Sequence, residues 1–174
     1  MALLPIITAP DPRLKTVASR VDAVDDDIRR LMDDMLETMY AAPGVGLAAP
    51  QVGISKRVIV VDVARTGDAP EPMQMANPEI IEASSERSTV EEGCLSLPEH
   101  FAEVKRPERV RIRYLDRENE IRERDMDGLL ATCIQHEMDH LDGILFVDHI
   151  SGLKRGMIMR KLTKLKKQDV KAGA

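Results

Sequence analysis

Between Leu129 and Leu141 the chain carries Leu129, Leu130, Cys133, Ile134, Met138 and Leu141, with His136, Glu137 and His140 among them. Set out at helical spacing, the apolar residues cover nearly every side. Such a helix has to be buried inside a fold, not laid on its surface. Asp127 stands ahead of it as an N-cap, and Asp142-Gly143 supplies the stop. A buried helix needs cover on several sides, and the rest of the chain offers strands to provide it. The fold class expected is α+β, with antiparallel or mixed β-sheets packed around this central helix.

The same helix carries His-Glu-x-x-His. His136 and His140 are four residues apart, so they lie one above the other on one face. Two imidazoles held that way can bind one metal ion, with Glu137 beside them as general base. A catalytic metal usually takes three protein ligands and keeps one position open. The remaining donors are Cys94, Cys133, His100, His149 and several carboxylates. Cys133 lies on the same helix, roughly 10 Å from His140 along the axis. Its short side chain does not reach the metal and instead lines a pocket one turn away. Cys94 lies in a Gly-containing loop between strands, which the fold is free to bring to the helix. Thiolate is also a strong ligand for zinc and other late first-row metals. Cys94 is therefore the favoured third ligand. His100 and His149 sit in no motif and read as structural or exposed.

The rest of the chain reads in order. Residues 1–24 hold Pro5, Pro10 and Pro12 and form an irregular lead-in. Asp25-Asp26-Asp27 opens an amphipathic helix through Ile28, Leu31, Met32, Met35, Leu36 and Met39, ending near Tyr40. Its methionines read as core. The small-residue stretch Gly44–Gly53 lacks the spacing of a phosphate or dinucleotide loop and by itself reads as a tight turn. Strands are expected over 57–63, 77–81, 102–105, 109–115 and 121–124, with polar residues 84–88 exposed. Arg109, Arg111 and Arg113 alternate with Val110, Ile112 and Tyr114, which suits a half-solvated sheet face.

The 174 residues form one expected domain, 1–174, with a basic tail from about 152. Net charge is −5, so the whole chain makes no case for nucleic-acid binding. The tail interleaves Lys154, Arg155, Arg160, Lys161, Lys164, Lys166, Lys167 and Lys171 with Leu153, Met157, Ile158, Leu162 and Leu165. It reads first as a surface helix with a frayed end, and second as a basic contact for RNA or an acidic partner. Two cysteines are too few for a disulfide scaffold. The N-terminus shows no signal peptide and no run suits a membrane span, so the expected location is the cytoplasm.

Three stretches then act together. Gly44-Val45-Gly46-Leu47-Ala48-Ala49-Pro50-Gln51, Glu92-Gly93-Cys94-Leu95-Ser96 and Gln135-His136-Glu137-Met138-Asp139-His140 resemble, in order and spacing, the three motifs of bacterial peptide deformylase. The resemblance covers nearly the whole chain and implies removal of the formyl group from N-terminal formyl-methionine of new polypeptides. It implies that Cys94, His136 and His140 bind one divalent ion, Fe²⁺ natively, with Zn²⁺, Ni²⁺ or Co²⁺ as substitutes. It implies Glu137 as acid/base, with Gln51 and the Leu95 N–H stabilising the oxyanion. It also implies that Gly46 hydrogen-bonds the substrate and that Val45, Leu129 and Cys133 wall a methionine pocket. The expected partners are N-formylmethionyl nascent peptides. The basic tail adds a ribosome contact as a hypothesis.

Overall fold

The computed structural model describes residues 2–173. Its strands are β1 (Gly46–Ala48), β2 (Val58–Val61), β3 (Met73–Ala83), β4 (Arg87–Cys94), β5 (Leu97–Pro107), β6 (Arg109–Leu115) and β7 (Ile121–Asp127). Its helices are α1 (Asp26–Ala41), α2 (Gly128–Leu141) and α3 (Gly152–Gly173). One antiparallel sheet runs in the order β1-β2-β3-β6-β7, and β4 and β5 form a separate antiparallel hairpin.

β2 explains the layering. All four of its β-branched residues are buried. Ile59 and Val61 enter a cluster with Ile134, Met138 and Leu141 of α2. Val58 and Val60 enter another with Ile28, Met32, Met35 and Met39 of α1. A side-chain period of two thus puts one helix on each face of the strand. A third cluster joins the hairpin to α3 and the turn before it, through Leu97, Val104, Phe146 and Leu162. The α+β class with a buried central helix is what the structure shows: Ala131 to Met138, His140 and Leu141 are all buried.

The α1 start follows from its acids, since the Asp25 carboxylate accepts from the Ile28 N–H at 2.9 Å. The expected Asp127 cap does not form. Asp127 occupies the N-cap position without a side-chain capping bond. It is still paired with Arg109 as the last residue of β7, so strand runs directly into helix. The Gly44–Gly53 stretch is not a tight turn either. Gly46–Ala48 pairs with Ile59–Val61, and a 3-10 turn over Ala49–Val52 follows. β4 was hidden by its polar composition: its pairing with β5 comes from backbone hydrogen bonds that polar side chains do not reveal.

The tail is helical from Gly152. Ile158, Met159 and Leu162 anchor it, whereas Leu153 and Leu165 stay exposed. The arginine alternation in β6 does face solvent. There Arg111 and Arg113 pair with Glu123, Asp125 and Glu79 on neighbouring strands.

Candidate metal centre

α2 packs its apolar residues on the sheet, and its polar residues His136 and Asp139 meet Glu92 of β4 and Arg106 of β5. Cys94 is the last residue of β4, where the hairpin register slips and the chain turns back into β5. This brings Cys94 Sγ to 3.3 Å from His140 Nε2. One donor atom each from Cys94, His136 and His140 lies within 4.8 Å of the others. The two imidazoles meet edge to face, with ring centroids 5.1 Å apart.

The group fits a metal. Two nitrogens and one sulfur converge from two elements in a buried place, and such a set suits several first-row ions. Glu137 Oε2 is buried without a hydrogen-bond partner beside the group, and His140 Nδ1 is so on the ring edge away from Cys94. Unpartnered polar atoms at such a site mark a place where something else is to be bound.

A second layer holds the first. His136 Nδ1 donates to Glu92 Oε1 at 2.9 Å, which leaves Nε2 to face the cluster. Arg106 forks onto both Glu92 oxygens at 2.7 and 2.9 Å, and its other arm donates to Asp139 Oδ2 at 2.8 Å. His149 Nε2 reaches the same Asp139 oxygen at 2.8 Å. Burial would raise the Glu92 pKa, but the bonds from Arg106 and His136 outweigh it and hold it at about 2. Glu92 is therefore an anion that orients His136.

Gln51 is fixed at both ends. Its Oε1 accepts from the Ala48 N–H at 2.9 Å. Its Nε2 donates to Ser96 Oγ at 3.1 Å and approaches Cys94 Sγ at 3.5 Å. The carboxamide's donor end is thus aimed at Cys94 Sγ. Glu137 is only 4% exposed. A Cβ on Gly46 would come within 2.9 Å of its Cγ and Oε1, so the bare glycine lets β1 approach the carboxylate. Burial pushes the Glu137 pKa up to about 7; the charge of His136 opposes this and that of Glu92 adds to it.

A cleft of about 780 Å³ opens onto the cluster. Val45, Gly46, Cys94, Leu95, Leu129, Cys133, His136 and Glu137 line it, and Gln51 and His140 adjoin it at Cys94 Sγ. Cys133 is buried, which pushes its thiol up to about 12 and keeps it neutral and apolar. The structure thus brings together the residues singled out from sequence. His149, exposed and bracing Asp139, agrees with its structural or exposed reading, and half-buried His100 lines the cleft. Glu92, Arg106 and Ser96 were assigned no role from sequence. Glu92 and Ser96 lay inside a quoted motif, but nothing in the order of residues pairs Arg106 with Glu92.

Residues 3–156 match the family model described as polypeptide deformylase. A peptide deformylase of Methylocella silvestris is 58% identical over 172 residues, covering 97% of this chain and 88% of its own. The crystal structure of peptide deformylase from Ehrlichia chaffeensis superposes with a TM-score of 0.92 at 39% identity, over 97% of this chain and 99% of that one. A Met-Ala-Ser-bound peptide deformylase from Acinetobacter baumannii gives 0.81 at 41% identity, over 86% of this chain and 99% of that one. With the cleft and its Cys94, His136 and His140 cluster, these matches lead to one conclusion: the chain belongs to the polypeptide deformylase family.

Proposed function

We propose that Cys94, His136 and His140 hold one divalent ion, and that the residues around it remove the formyl group from N-terminal formyl-methionine. The enzyme class follows from the family; the roles of individual residues are our reading. The observation that carries it is the convergence of the three donors beside the buried, unpartnered oxygen of Glu137.

A bound divalent ion supplies Lewis acidity and lowers the pKa of water, giving a nucleophile at neutral pH. Glu137, poised near 7 by burial, takes the proton of the attacking water and returns it to the leaving amine. Gln51 Nε2 and the Leu95 N–H donate to the formyl oxygen as it gains charge. Glu92 keeps the His136 ring turned so that Nε2 faces the cluster. β1 is an edge strand of the sheet. Its free edge at Gly46 can therefore receive the peptide backbone as an added strand. Val45, Leu129 and Cys133 wall the pocket for the methionine side chain, and the neutral Cys133 thiol suits an unbranched apolar chain.

Fe²⁺ is our proposed native ion, with Zn²⁺, Ni²⁺ or Co²⁺ as substitutes, because an N₂S donor set accepts each of them. The two thiols, Cys94 and Cys133, are free, which supports a reducing, cytoplasmic setting. No helix among the described residues is long and apolar enough to cross a membrane. We read residues 1–174 as one catalytic domain. The basic α3 is its candidate ribosome contact, a reading that equal ribosome co-sedimentation with and without α3 would end. The reaction is tested with formyl-Met peptides in parallel with unformylated peptides of the same sequence. Formate release without internal cleavage is expected. Internal cleavage alone would refute the reading.

A further inference from the structure

A second depression of about 610 Å³ lies between β5 and α3. Its α3 wall is Lys154, Met157, Ile158 and Lys161. Their spacing of i, i+3, i+4 and i+7 sets them on one helix face, apolar in the middle with an ammonium at each end. The opposite wall is Phe101 with Glu103 beyond it on β5. Met157 is 46% exposed and Phe101 63%, in a chain that holds only two phenylalanines. Phe101 also lines the cleft at the metal ligands, so the two depressions share a wall and follow one another along β5. The ring lies over Gly93, where a Cβ would come within 2.5 Å of it. Among the described residues the lysine ion pairs are Lys15–Asp148 and Lys166–Asp11, which leaves both groove ammonium groups free for a ligand.

We propose that this groove receives the part of the nascent chain downstream of the residues held in the cleft. It favours an aliphatic side chain flanked by carboxylates. The inference rests on the deformylase reading of the neighbouring cleft, because continuity with that cleft names the occupant. The apolar centre of the stripe takes the aliphatic group and Lys154 and Lys161 take the acids, while Glu103 on the opposite wall repels carboxylates and so directs them to the α3 side. The cleft then reads the first residues while the groove reads composition further along, so long substrates differ where short ones do not.

The test uses the metal-loaded full-length enzyme and formyl-Met dodecapeptides identical in their first four residues. The downstream block is Leu flanked by Glu, Leu flanked by Lys, or Gly-Ser. Turnover is compared with a formyl-Met tripeptide, and binding of the deformylated, fluorescein-labelled dodecapeptides is read by anisotropy. The acidic block should bind about fivefold tighter than Gly-Ser, as expected for two exposed ion pairs plus one apolar contact. The advantage should shrink at high salt. Lys154→Glu/Lys161→Glu should abolish it and leave tripeptide turnover unchanged; Lys154→Gln/Lys161→Gln should reduce it. Equal binding of all three blocks, or an advantage that survives both double variants, overturns the proposal. Concentration-dependent dimerisation removed by the same variants, with no peptide effect, assigns the groove to a second copy and also overturns it. Loss of tripeptide turnover in the wild type would refute the cleft reading instead, and the binding arm would still decide the groove.

Discussion

Two charged networks in this molecule share the same chemistry and differ in burial. Across β6 and β7, Arg113 lies 2.7 Å from Glu123 and Arg111 3.1 Å from Asp125. Behind the metal centre, Arg106 lies 2.7 Å from Glu92 and 2.8 Å from Asp139. Distances do not separate them; burial does. Arg106 and Glu92 are each 5% exposed, whereas the side chains of Arg111 and Arg113 are 35% and 47% exposed. Exposed pairs are screened and contribute little. Buried charges are costly to strand, so each requires its partner and fixes its geometry. The buried network holds a histidine ring in place, and the one member of the Cys94, His136 and His140 group it touches directly is His136.

The comparison can be broken in several places. The largest effect expected is on turnover: Glu137→Ala should retain metal and lose about 10²–10⁴-fold in rate. Unchanged activity per bound ion, measured by formate release, would remove Glu137 from the chemistry. Arg106→Met comes next, because it leaves Glu92 and Asp139 without their cation. Its unfolding free energy should fall by about 3–5 kcal/mol in a denaturant titration. A loss as small as that of a surface arginine would mean that burial is not what distinguishes the two networks.

The pH dependence should be smaller and should carry a definite sign. Glu92 has a folded pKa of about 2, below its ordinary value of 4.5. Its contribution is therefore fully present above that ordinary value and is lost as pH falls toward 2. The metal-free protein should lose about 2 kcal/mol from this group between about pH 6 and pH 3. Chemical unfolding of Glu92→Gln over the same range should lack that component. Parallel curves for the two proteins would contradict the assignment. The smallest effect belongs to the exposed ladder. A double-mutant cycle on Arg113 and Glu123 should return about 0.2–1 kcal/mol, reduced by salt.

Much of this was legible in the sequence, for reasons that can be named. The apolar surround of α2 required burial, and the four-residue spacing of His136 and His140 required a shared face. The period of α1 placed its methionines in the core. Weighing the remaining donors joined Cys94 to them, and resemblance added Gln51 and Leu95. What stayed hidden was long-range or side-chain-independent. β4 is polar, so only its pairing with β5 reveals it. Asp127 had the right composition for a cap, yet strand pairing held it extended. Arg106 sits among charges that look solvated along the chain; its burial depends on α2 bringing Asp139 to meet it. His149 became part of the same brace because the turn after α2 returns it to Asp139.

The central claim is that the Cys94, His136 and His140 group holds an ion on which deformylation depends. It is tested most directly by metal content and formate release in one sample, purified without oxygen, before and after chelation and after re-addition of Fe²⁺ or Zn²⁺. The account predicts one ion per chain in the active protein, activity that falls in proportion to ion removed, and recovery on re-addition. Full formyl-peptide turnover by chain from which the ion has been stripped would contradict it.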